Sequence, residues 1–175
     1  KCITPYERPV LGYYDEGIPE TADWEIKYMV EHGIDFQAFC WYSPTTTSHL
    51  KMSDLSTHLH DGYFNAKYSD MMNFALLLEC KASIGKLDVW KKYHVPYLIE
   101  YYFKDERYMS IDNKAVVCTF SLGTWKNYNN LGNVEDLAEA LAYLEEEVMK
   151  LGYDGVLYIG CTNDLTDEEM QKVGL

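Results

Sequence analysis

Two short stretches, GYYDEG (residues 12–17) and FCWYSP (residues 39–44), carry the strongest indication of the fold. Apolar residues that suit a strand precede each stretch, aromatic rings follow them, and the first stretch adds the carboxylate of Asp15. In α/β folds, ligands bind at the carboxyl ends of the strands. Aromatic rings stack on the apolar faces of sugars, and carboxylates bind hydroxyls or transfer protons. A carbohydrate is therefore the ligand class that these residues indicate.

Strands and helices are predicted to alternate along the whole chain. Apolar runs rich in β-branched and aromatic residues predict five strands, at residues 10–14, 34–41, 73–79, 115–120 and 155–161. Helical spacing of apolar residues predicts four helices, at residues 22–32, 55–66, 87–103 and from Asn133, the expected N-cap, to residue 151. We also expect Pro96 to kink the third helix, because proline lacks the backbone N–H and crowds the preceding turn.

The order βαβαβαβαβ predicts the α/β class, with a parallel sheet covered by helices. Two architectures fit this order: the first five strands of a (β/α)8 barrel, or a five-stranded doubly wound sheet that is complete in itself. Periodicity does not separate them. A polar insertion, SPTTTSHLKMSD (residues 43–54), follows the second strand, where a barrel builds its substrate groove.

Composition limits both the domain count and the function. The chain has 175 residues, of which 47% are apolar, so we expect one α/β domain over residues 1–175. The net charge is −13 and Arg8 and Arg107 are the only arginines, which argues against binding nucleic acid or an anionic membrane. No apolar run is long enough to span a membrane.

We expect no cofactor and no metal ion. The sequence has neither a Walker-type phosphate loop nor G-x-G-x-x-G, and its five cysteines lack the C-x-x-C spacing of a zinc site. His58, His60 and Asp61 lie close in sequence, but on a helix the two histidines point in different directions. Unpaired cysteines favour the cytoplasm, a secreted location stays possible, and the compartment is left open.

Four segments resemble the glycoside hydrolase family 99-like proteins, also called WbsX-like. VLGYYDEGIPETADWEIKYMVEHGIDFQAFCWY (residues 10–42) is similar to the opening of that family. Three further segments are similar to successive family segments, namely HLHDGYFNAKYSDMMNFALLLE (58–79), PYLIEYYFKDERYMSIDNKAVVCTF (96–120) and LAYLEEEVMKLGYDGVLYIG (141–160). The resemblance covers most of the chain in order, and it implies the N-terminal part of a (β/α)8 barrel.

The resemblance also implies an activity. Its better-known members are retaining endo-acting α-mannosidases and mannanases, in which the sugar's own 2-hydroxyl attacks the anomeric carbon with help from carboxylates, and for this chain it implies a bacterial protein. It therefore implies a glycosidase that acts on a neutral oligo- or polysaccharide. The family's catalytic glutamate pair lies in a later Asn-Glu-Trp or Glu-Trp context, which this sequence does not contain. Two alternatives stay open: a non-catalytic carbohydrate- or partner-binding domain, and a glycosyltransferase of polysaccharide synthesis, which the shortage of arginines and phosphate loops disfavours.

Six residues are candidates for the site. Glu79 and Asp15 are the candidate catalytic carboxylates, although Asp15 also suits a turn before Gly17 and Glu79 also suits an ion pair with Lys81. The candidate substrate contacts are Tyr14, Trp41, Tyr42 and His60. Because neighbouring residues of a strand point to opposite sides, only one of the Trp41–Tyr42 pair is expected to face a sugar, and Trp41 is favoured. For His60, the alternative is a loop-anchoring role.

A further expectation concerns the edge of the sheet. A barrel that stops after five strands leaves its outer strands unpaired and one apolar face uncovered. We therefore expect either the remainder of a barrel or another copy of the chain to cover that edge.

Overall fold

The structure, a computed structural model, describes residues 12–42, 56–79, 84–127, 130–162 and 164–175. These residues fall into two compact units. Of the described residues, the first unit contains 12–35 and 57–72, and the second contains 36–42, 56, 73–79, 84–127, 130–162 and 164–175. The expectation of one domain over residues 1–175 stays a prediction.

The second unit contains a sheet of five strands, most of them parallel. They are β1 (Phe36–Trp41), β2 (Asn73–Leu78), β3 (Ser110–Ile111), β4 (Lys114–Thr119) and β5 (Gly155–Gly160). The four longer strands are parallel and lie in the order β1-β2-β4-β5, whereas β3 pairs antiparallel with the start of β4. Each successive parallel strand is thus added on the same side of the one before.

This strand order distinguishes the two predicted architectures. A doubly wound sheet reverses its strand order at a switch point, whereas a barrel adds its strands in one direction. The described part of the sheet contains no reversal and is not closed. The α/β class with parallel βα units in a partial (β/α)8-type barrel is therefore confirmed, and the doubly wound alternative is not supported.

Four of the five predicted strands are present, and one strand was not anticipated. Of the predicted strand at residues 10–14, the first two residues lie outside the described part, and Gly12, Tyr13 and Tyr14 are not in a strand. The unanticipated strand is β3, which forms a hairpin with β4. Asp112 and Asn113 form its turn at φ 49° and 59°, the left-handed geometry of tight hairpins, so this Asp-Asn pair was the missed signal.

Helices account for most of the remaining described residues. In the second unit they are α2 (Leu87–Val89), α3 (Val95–Leu98), α4 (Leu122–Trp125), α5 (Val134–Met149) and α6 (Asp167–Lys172). Two π-helical turns, Trp90–His94 and Ile99–Phe103, make residues 87–103 one continuous helical segment. Pro96 is the second residue of α3, within its first turn, where a missing N–H removes no bond of a regular helix.

The first unit is built on α1 (Pro19–Glu31), close to the predicted helix 22–32. The predicted helix 55–66 begins outside the described residues and continues as a π turn (His58–Gly62) and a 3-10 turn (Tyr63–Asn65). At Gly62 a Cβ atom would collide with the carbonyl oxygen of Glu16, so only glycine lets these two segments approach. A second 3-10 turn, Ser69–Met71, follows.

The two faces of the sheet differ in burial at its outer strands, whereas on the central strands Ala75 and Val116 of the second face are 0% exposed. On one face, the row Phe39, Leu76 and Val117 is buried, and we call this the helix-covered face. It packs against the helices of the second unit; the ring of Trp41 at the end of β1, for example, lies 6.0 Å from that of His94. Side chains that point to the other side form the open face.

Asn133 caps α5 as predicted, since its Oδ1 accepts the N–H of Asp136 at 2.7 Å. We expect Asn133→Ala to lower the free energy of unfolding by about 1 kcal/mol, because a backbone donor at the helix start loses its partner. Asn133→Ser keeps an oxygen acceptor for the Asp136 N–H without placing a second carboxylate beside that of Asp136, to which the Asn133 amide donates at 3.2 Å, and should unfold close to the parent in urea. An equal loss in both variants would contradict the capping role.

Candidate functional site

The residue that directly follows each of the four parallel strands extends the sheet by one residue. The N–H groups of Glu79, Phe120 and Cys161 donate to the carbonyls of Trp41, Leu78 and Thr119 at 3.0, 3.1 and 2.8 Å. This register aligns Tyr42, Glu79, Phe120 and Cys161 across β1, β2, β4 and β5, and we call this set the carboxyl-end row. Because neighbouring strands lie about 4.8 Å apart, adjacent members can contact one ligand.

The open face carries two further rows beneath the carboxyl-end row. The upper middle row consists of Cys40, Leu77, Cys118 and Ile159, and the lower middle row of Ala38, Ala75, Val116 and Leu157. Such rows resemble the stacked layers of inward-pointing side chains in a (β/α)8 barrel. The carboxyl-end row therefore corresponds to the layer at the mouth of a barrel, where substrates bind.

Tyr42 and Glu79 lie close together in this row. The pKa of the Tyr42 phenol is raised, first by its electrostatic interaction with the neighbouring Cys40 side chain and then by burial and the Glu79 carboxylate. Tyr42 is therefore a neutral hydroxyl at physiological pH and can donate a hydrogen bond. The structure thus brings together two of the predicted site residues, a hydroxyl donor and a carboxylate acceptor.

Phe120 provides the accessible aromatic ring of the row, and the sequence analysis did not single it out. Its side chain is 39% exposed although it directly follows a buried strand. Strand alternation was the available signal: Val116 and Cys118 point to the open face, so Phe120, two residues further on, must do the same. The row therefore offers an apolar ring beside the Glu79 carboxylate.

Trp41 does not fit the stacking role predicted for it. It is only 3% exposed and lies on the helix-covered face, in line with Leu78 and Thr119. Its ring meets that of His94 edge-on at 6.0 Å, and its indole N–H donates to the hydroxyl of Tyr102. The expected alternation within the Trp41–Tyr42 pair holds, but Tyr42 is the member that points to the open face.

His94 is buried in this aromatic cluster. It contacts Trp90 as well as Trp41, at a ring separation of 5.9 Å. Burial lowers its pKa from 6.5 to about 4, against a smaller opposing effect of a hydrogen bond with the Ile84 backbone. The imidazole is therefore neutral at physiological pH and belongs to the core beneath the row.

Tyr14 and Asp15 lie in the first unit, and both are exposed. The Oδ1 atom of Asp15 accepts the N–H of Gly17 at 2.9 Å, which is the turn-forming role considered as its alternative. This bond leaves the second carboxylate oxygen for other partners. Tyr14 as a substrate contact and Asp15 as a catalytic carboxylate stay predictions. A cleft shared by these residues and Glu79 also stays a prediction.

His60 also belongs to the first unit, where its ring meets Phe64 edge-on at 5.4 Å. Burial lowers its pKa, and the nearby Asp61 opposes part of that effect. His58 has different partners, because its Nε2 lies 2.8 Å from a carboxylate oxygen of Glu25. These contacts are of the kind expected if His60 anchors a loop, which was the alternative role. Contact between His60 and a substrate stays a prediction.

Several expectations fall outside the described residues. The polar insertion at residues 43–54 is one, and Lys81, the alternative partner of Glu79, is another. Within the described part of the chain, no three His, Cys, Asp or Glu side chains are grouped as metal ligands would be. Over the same residues, no helix has both the length and the apolar character that crossing a bilayer requires.

Comparison with known proteins identifies a structural relative. No protein-family model and no curated protein matches the chain. Among solved structures, the chain is similar to the GH99 endo-alpha-mannosidase from Bacteroides thetaiotaomicron, with a TM-score of 0.61 and 16% sequence identity. The match covers 95% of this chain and 44% of that enzyme, so the chain spans less than half of its length.

At this level of identity, the likeness shows the fold. It supports a partial barrel of the kind found in glycoside hydrolase family 99, in agreement with the strand order and the layered open face. This structural similarity is to a glycoside hydrolase family 99 enzyme and does not extend to the WbsX-like proteins.

The buried His94 predicts a pH dependence of stability. Its pKa is about 4 in the folded chain and 6.5 in the unfolded chain, so only the unfolded state gains this proton as pH falls from 7 to 5. Folding should lose about 2 kcal/mol over that interval from this group. The slope should be correspondingly smaller in His94→Gln, measured by urea unfolding at pH 7 and pH 5. Equal slopes in parent and variant would contradict the assignment.

The thiols of the open face should differ in reactivity. Cys40 and Cys161 are exposed, whereas Cys118 is buried. Burial raises the pKa of Cys118, and the nearby Cys161 adds to the effect, so less thiolate is present to react. We expect iodoacetamide to alkylate Cys40 and Cys161 well before Cys118, as measured by peptide mass spectrometry. Denatured chain, in which all thiols should react alike, is the control, and early labelling of Cys118 would contradict its burial.

Proposed function

We propose that this chain is a carbohydrate-active protein of the glycoside hydrolase kind that binds a neutral glycan at the carboxyl-end row. The observation that carries the proposal is the alignment of Tyr42, Glu79 and Phe120 at the carboxyl ends of parallel strands. That edge is where barrel enzymes hold their substrates. The similarity to a GH99 endo-alpha-mannosidase supports an α-mannan as the glycan to test first.

Each member of the row would have a distinct task. The exposed ring of Phe120 would stack on the apolar face of a sugar ring. The neutral Tyr42 hydroxyl would donate a hydrogen bond, and the Glu79 carboxylate would accept one from a sugar hydroxyl. These contacts need no positive charge on the protein, which agrees with a chain of net charge −13 and two arginines.

Glu79 is also the carboxylate best placed to assist chemistry. In glycosidases, carboxylates on either side of the scissile bond act as acid, base or nucleophile. The resemblance implies a retaining endo-α-mannosidase whose glutamate pair lies in a later strand-loop, so the proposal assigns glycan binding to this chain and hydrolysis to a protein that includes that pair. Asp15 stays a predicted second carboxylate, and Tyr14 and His60 stay predicted contacts.

A non-catalytic carbohydrate-binding domain is the second candidate. The absence of an Asn-Glu-Trp or Glu-Trp motif from the sequence favours it for this chain. Release of reducing ends from α-mannan distinguishes the two candidates, because only a hydrolase produces them, whereas both candidates bind the glycan.

The test is binding of α-mannan oligosaccharides to the chain by titration calorimetry. We expect Phe120→Ala to weaken binding roughly fivefold, since an aromatic contact contributes about 1 kcal/mol in addition to buried area. Glu79→Gln should weaken it by about tenfold or more, because a hydrogen bond to a charged group contributes about 1.5–3 kcal/mol.

Tyr101→Ala is the matched control for loss of an exposed ring. Tyr101 lies on the helical segment 87–103 and is exposed, away from the carboxyl-end row. Its removal should leave the affinity unchanged. No binding by the parent, or equal affinity of the parent and Phe120→Ala, would rule out the carboxyl-end row as the site.

A further inference from the structure

The loop that follows β5 binds the turn that carries Phe120, which joins β4 to α4. The Thr162 hydroxyl donates to the carbonyl of Phe120 at 2.8 Å. The Asp164 carboxylate accepts both the Ser121 hydroxyl and the N–H of Gly123, the latter at 3.0 Å. Three hydrogen bonds, at sequence separations of 41 to 43 residues, therefore connect this end of the carboxyl-end row to one later loop.

The turn and the loop fit each other closely at Gly123. A Cβ atom there would lie 2.7 Å from the carboxylate carbon of Asp164 and 2.8 Å from its backbone oxygen, so only glycine allows this approach. Ser121 is 8% exposed, and its Oγ atom also accepts the N–H of Thr124 in α4 at 3.1 Å. Asp164 therefore binds the residue at which the chain leaves the sheet and begins the helix.

The backbone of Phe120 is held from two directions. Its N–H donates to the Leu78 carbonyl of the sheet at 3.1 Å, and its carbonyl accepts the Thr162 hydroxyl of the loop. The ring is 39% exposed, whereas the core encloses Trp41 to 3%, so the orientation of the Phe120 ring depends more on the backbone that carries it. A ring that is already held in its binding orientation loses less conformational freedom when a ligand binds.

We infer that Asp164 and Thr162 are positioning residues of the carboxyl-end row, which hold the Phe120 ring in the orientation that stacks on a sugar. The inference rests on the proposed function, because it concerns the same site. Neither residue needs to touch the glycan, since each acts through the backbone of the turn. The loop after β5 thereby contributes to a site whose other members, Tyr42 and Glu79, follow β1 and β2.

The experiment is a double-mutant cycle on the affinity for α-mannan oligosaccharides, measured by titration calorimetry. Asp164→Ala should weaken binding about threefold, because the ring is still present but must be ordered on binding. Phe120→Ala should weaken it more, roughly fivefold. The double variant should have the affinity of Phe120→Ala, because no ring is left to position. Two independent contributions would instead multiply.

Two further variants separate positioning from a general structural role. Asp164→Asn keeps an oxygen for the Gly123 N–H and gains an amide that can donate to the Ser121 hydroxyl oxygen, so it should bind like the parent. Thr162→Val has nearly the same shape but loses the donor to the Phe120 carbonyl. It should weaken binding about twofold, and only when the ring is present. Thr162→Val takes the place of Asp164→Ala in the cycle if circular dichroism shows that Asp164→Ala does not fold.

Asn133→Ala is the matched control. Asn133 also accepts a backbone N–H at the start of a helix, from Asp136 of its own helix. Its replacement should lower the free energy of unfolding in urea and leave the affinity unchanged.

The outcomes distinguish the inference from the proposed function. If the parent does not bind, or if Phe120→Ala binds like the parent, the proposed function fails and the inference fails with it. If Phe120→Ala weakens binding but Asp164→Ala does not, the inference alone is overturned. The same holds if Asp164→Ala weakens binding equally in the presence and in the absence of the ring.

Discussion

The parallel register of β1, β2, β4 and β5 is the constraint on which the rest of the second unit depends. Because all four strands run in the same direction and are added on one side, their carboxyl ends meet at one edge. The same register places residues of equal parity on the same face. One alignment therefore produces the carboxyl-end row, the layered open face and the helix-covered face together.

The helix-covered face of the sheet packs against a stripe of large buried side chains on the helical segment 87–103. Its buried side chains repeat every four residues, at Trp90, His94, Leu98 and Tyr102. A regular α-helix repeats every 3.6 residues, and the two π turns lengthen that repeat so that the stripe keeps facing the sheet. Trp41 contacts two members of this stripe, which makes it part of the core.

The chemistry of the carboxyl-end row follows from this packing. Its members are attached to strands whose opposite face is buried, so the backbone that positions Tyr42, Glu79 and Phe120 is held by the core. A rigid backbone positions a hydroxyl donor, a carboxylate and a ring without an ordering cost on binding. This combination suits a neutral polyhydroxylated ligand better than an anionic one, in keeping with the strongly acidic chain.

The sequence by itself determined the α/β alternation, the positions of β1, β2, β4 and β5 within a few residues, and the Asn133 cap. These features depend on local composition and spacing, which a single segment carries. It also placed Tyr42 and Glu79 at strand ends. Only the tertiary structure decided that Tyr42 and Phe120, and not Trp41, point to the open face, because the phase of a strand is set by what packs on each side. The tertiary structure also decided that Tyr102 is buried in the core and that its neighbour Tyr101 is exposed. Which of the two faces the sheet depends on how the helical segment is rotated against strands that are distant in sequence.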